Sequence, residues 1–253
     1  MSASHVTDPT SMCNHRQEQP VSHTEAETLT FVSVLFPNVT QLDMTGPLQV
    51  FARLPGARIE LAWADLDPVP TDAGFSIVPT TTFTDAPQAD ILMVPGGQGA
   101  FELLDDDTAL DFVRRQAAGA RFVTSVCTGA FVLAAAGLLE GRRATTHWAS
   151  HPMLSILGVE PVHQRVVRDG NIFTGGGVTS GIDFALTVAA EVAGRAAATR
   201  AQLALEYDPQ PPFQAGSPSG ADTDPAEVEA IRDNAWRTRE PVVRRAAARL
   251  GLG

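Results

Sequence analysis

"VTSVCTGAFV", residues 123–132, sets a cysteine between a strand-like run and a helix-like run. Val123, Thr124 and Val126 are β-branched, and Gly129 opens an alanine-rich stretch that ends at Gly137. This order predicts a buried strand over 120–126, a tight turn at Cys127, and a helix over 128–137 closed by Gly137. Ser125, Thr128, Gly129 and Ala130 are small, so the turn can be sharp, as in a nucleophile elbow. A helix after the thiol points free backbone N–H groups at the sulfur, and such sites lower a cysteine pKa from ~8.5 to about 3.5–7.5. The same residues also fit an inert buried cysteine acting as a small hydrophobe, and spacing alone leaves both readings open.

Outward from the elbow, strand-like and helix-like runs alternate. "LTFVSVLF" (29–36), "RIELAWA" (58–64) and "ADILMVPGG" (89–97) read as strands, and "GFSIVPTTTF" (74–83) as a strand or hairpin arm. "TGPLQVFARL" (45–54) reads as a helix with Thr45 as N-cap and Pro47 in its first turn. "LDDDTALDFVRRQAAG" (104–119) reads as an amphipathic helix, acidic at its start, basic near its end and stopped by Gly119. "HQRVVRDGNIFTGG" (163–176) predicts a hairpin turning at Asp169-Gly170. Helices follow over 179–194 and 195–207. The alternation predicts an α/β fold: three layers, a mostly parallel sheet with helices on both faces. One domain is expected over 28–207. Residues 1–27 read as a disordered leader, and 208–225, rich in Pro, Gly and Ser, as a linker or surface strap. Residues 226–250 read as a helical appendage broken near Pro241, exposed or facing a partner, with Trp236 on it.

Composition narrows the function. The 253 residues carry 29 acidic against 18 basic side chains, a formal charge of −11. That disfavours nucleic acid and anionic membrane surfaces as partners. No run approaches the ~20 apolar residues of a membrane span, and the polar start has no signal-peptide core. Two cysteines, one of them Cys13 in the leader, make no disulfide framework, so a cytoplasmic location is expected.

Other loops fall at the same expected sheet edge. "PNVTQLDMTGP" offers Asp43 in a loop after the first strand. "VPGGQG" offers Gly96 and Gly97, whose N–H groups could meet developing negative charge. "FTGGGVTSGID" adds Gly176 at a third glycine-rich turn. Singly, Asp43 is as well explained as a cap and the glycines as turn formers. "HWASH" places His147 and His151 four apart, but no third ligand accompanies them, and no metal is expected.

Taken in order, "QLDMTGPLQVF", "ILMVPGGQG", "VTSVCTGAFVLAAAGLL", "RRATTHW" and "FTGGGVTSGIDFAL" resemble the ThiJ/PfpI superfamily, over about residues 29–207. The resemblance implies the flavodoxin-like, class I glutamine amidotransferase-like fold. Asp-x-Thr-Gly-Pro after the first strand, Cys-Thr-Gly at the elbow and "LEYDPQPPF" after the core resemble the isonitrile-hydrating members. That likeness implies Cys127 as nucleophile, Asp43 as acid–base partner, Thr128 as the elbow threonine, an isonitrile substrate, no cofactor, and a homodimer. Protease-like members carry histidine after the cysteine. Here Thr128 stands there, and His147 is the nearest other base.

Two other function classes share parts of this pattern. Ligand-sensing domains of AraC-type regulators carry similar "TGP" and "TTHW" segments. They continue into about 100 residues of paired helix-turn-helix units, whereas only 46 residues follow Tyr207 here. Glyoxalase- or deglycase-like thiol enzymes of the superfamily are the other alternative. A redox-sensing role for Cys127 could coexist with catalysis.

Overall fold

β-branched runs become strands and alanine-rich, glycine-ended runs become helices throughout the computed structural model, which describes Met1 and residues 28–252. The expected disordered leader, with Cys13, falls almost wholly outside the described residues. In chain order the elements are β1 (Leu29–Val34), α1 (Gln41–Phe51), β2 (Ala57–Trp63), β3 (Val69–Pro70), β4 (Ser76–Ile77), β5 (Thr81–Thr82), β6 (Ile91–Val94), α2 (Gly99–Glu102), α3 (Asp107–Gly119), β7 (Phe122–Val126), α4 (Gly129–Ala135), β8 (Arg143–Ala144), β9 (Glu160–Pro161), β10 (Val166–Asp169), β11 (Ile172–Gly175), α5 (Ser180–Ala193), α6 (Arg195–Ala204) and α7 (Pro225–Arg249). Two 3₁₀ segments, Leu103–Asp105 and Trp148–Leu157, complete the chain.

Seven strands form one sheet in the order β10-β11-β7-β6-β1-β2-β5. All pairings are parallel except β10 with β11, the expected hairpin, whose turn uses Gly170 at φ 62. β6, β7 and β11 are buried along their whole length, as parallel strands covered on both faces must be. The helices pack as two groups: α1, α5 and α6 touch one another, and α2, α3, α4 and α7 do likewise. The chain leaves β1 for β2 on one side, and β6 then pairs on the other side of β1. A crevice at the β1–β6 switch is where such sheets hold their sites.

Three local expectations need correction. α1 begins at Gln41, not Thr45, so Asp43 lies in its first turn rather than in a loop. Pro47 is the seventh helical residue and removes only the one hydrogen bond its N–H would make to the Asp43 carbonyl. α3 starts after its N-cap Asp106, whose side chain accepts from Ala109 N–H at 3.1 Å, and it has no basic residue in its last turn. The 226–250 stretch is neither broken nor an appendage. α7 runs unbroken through Pro241, which is exposed, so the missing bond falls on the solvent side. Its Ala235, Val243, Ala246 and Ala247 join the main core and pack on the Trp148–Leu157 segment. Burial of that stripe outweighs the lost bond.

Candidate active site

Four parallel strands deliver their following loops to one edge. β1 leads to Asp43, β6 to Gly96 and Gly97, β7 to Cys127, and β11 to Gly176. Cys127 has φ 55, a left-handed conformation that a non-glycine residue adopts only when its surroundings hold it there. Its N–H donates to the carbonyls of Gly175 (3.0 Å) and Gly176 (2.9 Å). Its own carbonyl accepts from the Thr146 hydroxyl at 2.7 Å. The backbone on both sides of the sulfur is thus clamped.

The close approach needs glycine at two positions. A Cβ on Gly129 would lie 2.1 Å from the Val94 carbonyl oxygen, where α4 starts against the end of β6. A Cβ on Gly96 would lie 2.6 Å from Asp43 Oδ2, 2.6 Å from Thr128 N and 2.7 Å from Cys127 Cβ. Gly96 is therefore the floor on which acid, thiol and elbow meet.

Asp43 is fully buried. Its Oδ2 accepts from Gly96 N–H at 3.1 Å, and its Oδ1 has no hydrogen-bond partner among the described residues. Loss of hydration dominates and pushes its pKa up from 3.8 to about 7, against the Cys127 and Gly96 hydrogen bonds, with Asp72 adding a smaller upward push. Thr40, at the start of α1, turns its hydroxyl to Asp72 (2.6 Å) instead of capping the helix.

Cys127 is buried as well, and its thiol is pushed up, first by burial and then by the Asp43 carboxylate. The expected helix-lowered thiolate is thus corrected. α4 has only seven residues, and dry surroundings outweigh its dipole. The Thr128 N–H donates to the sulfur and opposes the rise. Acid and thiol titrate as a pair. Above about pH 7 they hold one proton between them, mainly as thiol with carboxylate and in smaller share as thiolate with carboxylic acid.

The other expected site residues sit here with altered contacts. The Thr128 hydroxyl donates to the Gly97 carbonyl and accepts from Gly97 N–H, both at 2.9 Å, so it ties the elbow to the glycine turn. Gly97 N–H is therefore occupied, and Gly176 N–H donates to the Arg165 carbonyl at 3.0 Å. Neither N–H is open to an incoming anion. His147 accepts from Ala149 N–H through Nδ1 at 3.3 Å and lies beside Gly177. Burial, aided by Arg239, pushes its pKa down to about 4, so it is neutral at pH 7.

Two participants were absent from the sequence reading. Thr146 was quoted only as part of a motif, and nothing in the sequence marks its carbonyl partner. Arg239 of α7 reaches the site from more than a hundred residues away in the chain. Its one local signal is position on the helix stripe next to Val242 and Val243. Among the described residues no cluster of three or more His, Cys, Asp or Glu could hold a metal ion, and no helix is long and apolar enough to cross a membrane.

Fold and site together define an α/β protein with a cysteine at a strained strand–helix elbow and a buried carboxyl group beside it. The DJ-1/PfpI family profile matches residues 31–191, and the chain belongs to that family. It is 55% identical to the isonitrile hydratase of Pseudomonas putida, over 87% of this chain and 96% of that one. A ThiJ/PfpI family protein from Pseudomonas syringae superposes with a TM-score of 0.82 at 37% identity, covering 92% of this chain and 98% of that one. The deglycase PfpI of Pyrococcus furiosus is 29% identical over 39% of this chain and 60% of its own.

Proposed function

We propose that the protein is an isonitrile hydratase, converting R–N≡C and water to the formamide R–NH–CHO with Cys127 as nucleophile. The observation that carries this reading is the dry Asp43–Cys127 pair, with Asp43 Oδ1 left free. Likeness to the Pseudomonas putida enzyme across nearly its whole length supports the same chemistry.

The pair supplies both reagents from one proton. With the proton on Asp43, the Cys127 thiolate adds to the terminal carbon of the isonitrile. Electrons of the carbon–nitrogen triple bond and the carbon lone pair leave that carbon basic, and Asp43 protonates it. The product is a thioimidate, R–N=CH–S–Cys. Asp43, now a carboxylate, takes a proton from water as the oxygen attacks the same carbon and passes it to the nitrogen, giving R–NH–CH(OH)–S–Cys. The tetrahedral adduct expels the thiolate as Asp43 takes the hydroxyl proton, which releases R–NH–CHO and restores the acid–thiolate pair. Thr128 N–H steadies the sulfur's charge at the start and end. Gly96 sets the distance between acid and thiol, while Thr128, Gly97 and Gly176 hold the elbow. No step requires a cofactor or a metal.

Thr128 stands where a Cys–His dyad would need histidine, and His147 is neutral and used as a cap, which favours hydration over a dyad-based reaction. A homodimer of intracellular, cytoplasmic location completes the proposal: the free thiol suits a reducing compartment. The outer face of α1 shows Leu42 among Gln41, Thr45 and Gln49, beside exposed Phe75 and Val78. The test is incubation of pure protein with alkyl and aryl isonitriles and with methylglyoxal in parallel. Formamide formation, and intact-protein mass showing a thioimidate at Cys127, are expected. Turnover of methylglyoxal alone would replace this reading with a deglycase-like one.

A further inference from the structure

Arg239 is unusual among the arginines. It is half-buried, pairs with no carboxylate among the described residues, and has a buried Nε without a hydrogen-bond partner. Its Nη1 donates to the hydroxyl of the fully buried Ser150 at 2.7 Å. Its guanidinium lies over the Phe101 ring, 5.2 Å from the centroid. Phe101 belongs to α2, directly after Gly96 and Gly97, and packs on Phe131 of α4, the helix that follows Cys127. Ser150 follows Thr146, whose hydroxyl holds the Cys127 carbonyl, and its N–H donates to the His147 carbonyl. Arg239 therefore bridges the two loops that wall the elbow.

A positive charge without a counterion in such a place needs a reason, because burial of an unpaired cation is unfavourable. The charged groups acting on the thiol are Asp43 from α1, with Asp72 behind it, and Arg239 from α7, which also acts on His147 before the 3₁₀ segment. His147 is neutral, so Arg239 is the one fixed cation among them.

We propose that Arg239 is a positioning residue of the active site: its fixed charge favours transfer of the shared proton from sulfur to Asp43, raising the share of Cys127 in the thiolate form that attacks the substrate. The sulfur anion is in turn the missing counterion of the guanidinium. The two sulfur–carboxyl proton arrangements carry the same net charge, but the thiol holds its proton far above the pH at which Asp43 loses its own, so the pair alone favours thiol with carboxylate. A cation that acts on the sulfur, held over Phe101 and against Ser150, shifts that balance toward thiolate. Burial destabilises Arg239's charge and the Cys127 thiolate supports it, the reciprocal relation this arrangement requires. The role explains why the proposed hydratase reading, on which it rests, needs a C-terminal helix packed into the core.

The experiment measures the rate of Cys127 alkylation by iodoacetamide from pH 5 to 10 in the full chain, with Cys13 changed to serine. Wild type, Arg239→Gln, Arg239→Lys and Ser150→Ala proteins are compared, with melting curves for each. Arg239→Gln is expected to move the alkylation midpoint up by about one pH unit, a tenfold slower reaction below it. Arg239→Lys retains most of the wild-type profile, since the charge stays, and Ser150→Ala gives an intermediate shift. Superimposable wild-type and glutamine profiles would overturn the proposal. So would a lysine profile shifted as far as the glutamine one, since shape rather than charge would then matter. Isonitrile hydration is read separately. A shifted alkylation profile in a protein that hydrates no isonitrile would sink the activity and leave the Arg239 role standing. The reverse pair of results would do the opposite.

Discussion

At the scale of single residues, the chemistry rests on one shared proton. Asp43 loses a proton near pH 7 while the thiol holds its own well above the ordinary range. Below pH 7 both groups are protonated and the sulfur is a poor nucleophile. Above it, one proton remains and the thiolate–acid form exists. Initial rates are therefore expected to give a bell-shaped profile in kcat/KM, with its rising limb near 7 and its falling limb on the alkaline side. Cys127→Ala is expected to lower hydration at least about a thousandfold, measured as formamide released per active enzyme. Asp43 also links pH to stability. Its folded pKa, about 7, stands above the unfolded 3.8, so the native state binds this proton more tightly. That contribution is present in full below pH 3.8 and is lost as pH rises to 7, at a cost of about 4 kcal/mol when complete. Asp43→Asn removes the term. Its melting temperature is expected to exceed that of the wild type at pH 8.5 but not at pH 4, while hydration is lost. Equal pH dependence in the two proteins would refute the buried acid.

At the scale of elements, the elbow is held by contacts that a motif does not display. Thr128→Val keeps the shape of the side chain and breaks both hydrogen bonds to Gly97. Leaving the buried Gly97 groups unpaired is expected to destabilise the protein by about 2 kcal/mol in urea titration, with a larger loss of kcat than of stability alone. The main strands along the chain, the elbow at Cys127 and the glycine turn at Gly96 were legible, because β-branched runs, glycine stops and loop glycines are local signals. The start of α1 was not, since Pro47 reads as a first-turn residue while tertiary packing of Met44, Leu48 and Phe51 carries the helix back to Gln41. Pro241 misled in the same way. The fate of each N–H group at Gly97 and Gly176 was also hidden, because it depends on partners 31 residues away in the first case and on a turn against Arg165 in the second. Arg239 escaped for the most basic reason: an arginine on a mixed-charge helix looks like a solvated one until the helix is seen to be packed.

At the scale of the whole molecule, α1 would connect catalysis to the proposed homodimer. Its inner side carries Asp43 and packs on α5. Its outer side shows two adjoining apolar hollows that share Thr45 and Gln49. One is walled by Ile182 and Leu205, the other by Leu48, Ile59 and Phe75. In the proposed homodimer, apolar burial at these hollows would have to overcome the mutual repulsion of two chains of net charge −11. In a two-fold pair the same patch meets itself, so a charge placed at its centre faces its own copy. Thr45→Glu adds that repulsion where both hollows meet. The wild type is expected to sediment at twice 26.8 kDa at micromolar concentration and the glutamate variant as a monomer. Because α1 holds the acid, loss of its outer support is also expected to slow hydration in the monomer, with Cys127 alkylation at high pH unchanged. A monomeric wild type at tens of micromolar would show that α1 stands without a partner, and its apolar face would then need another cause.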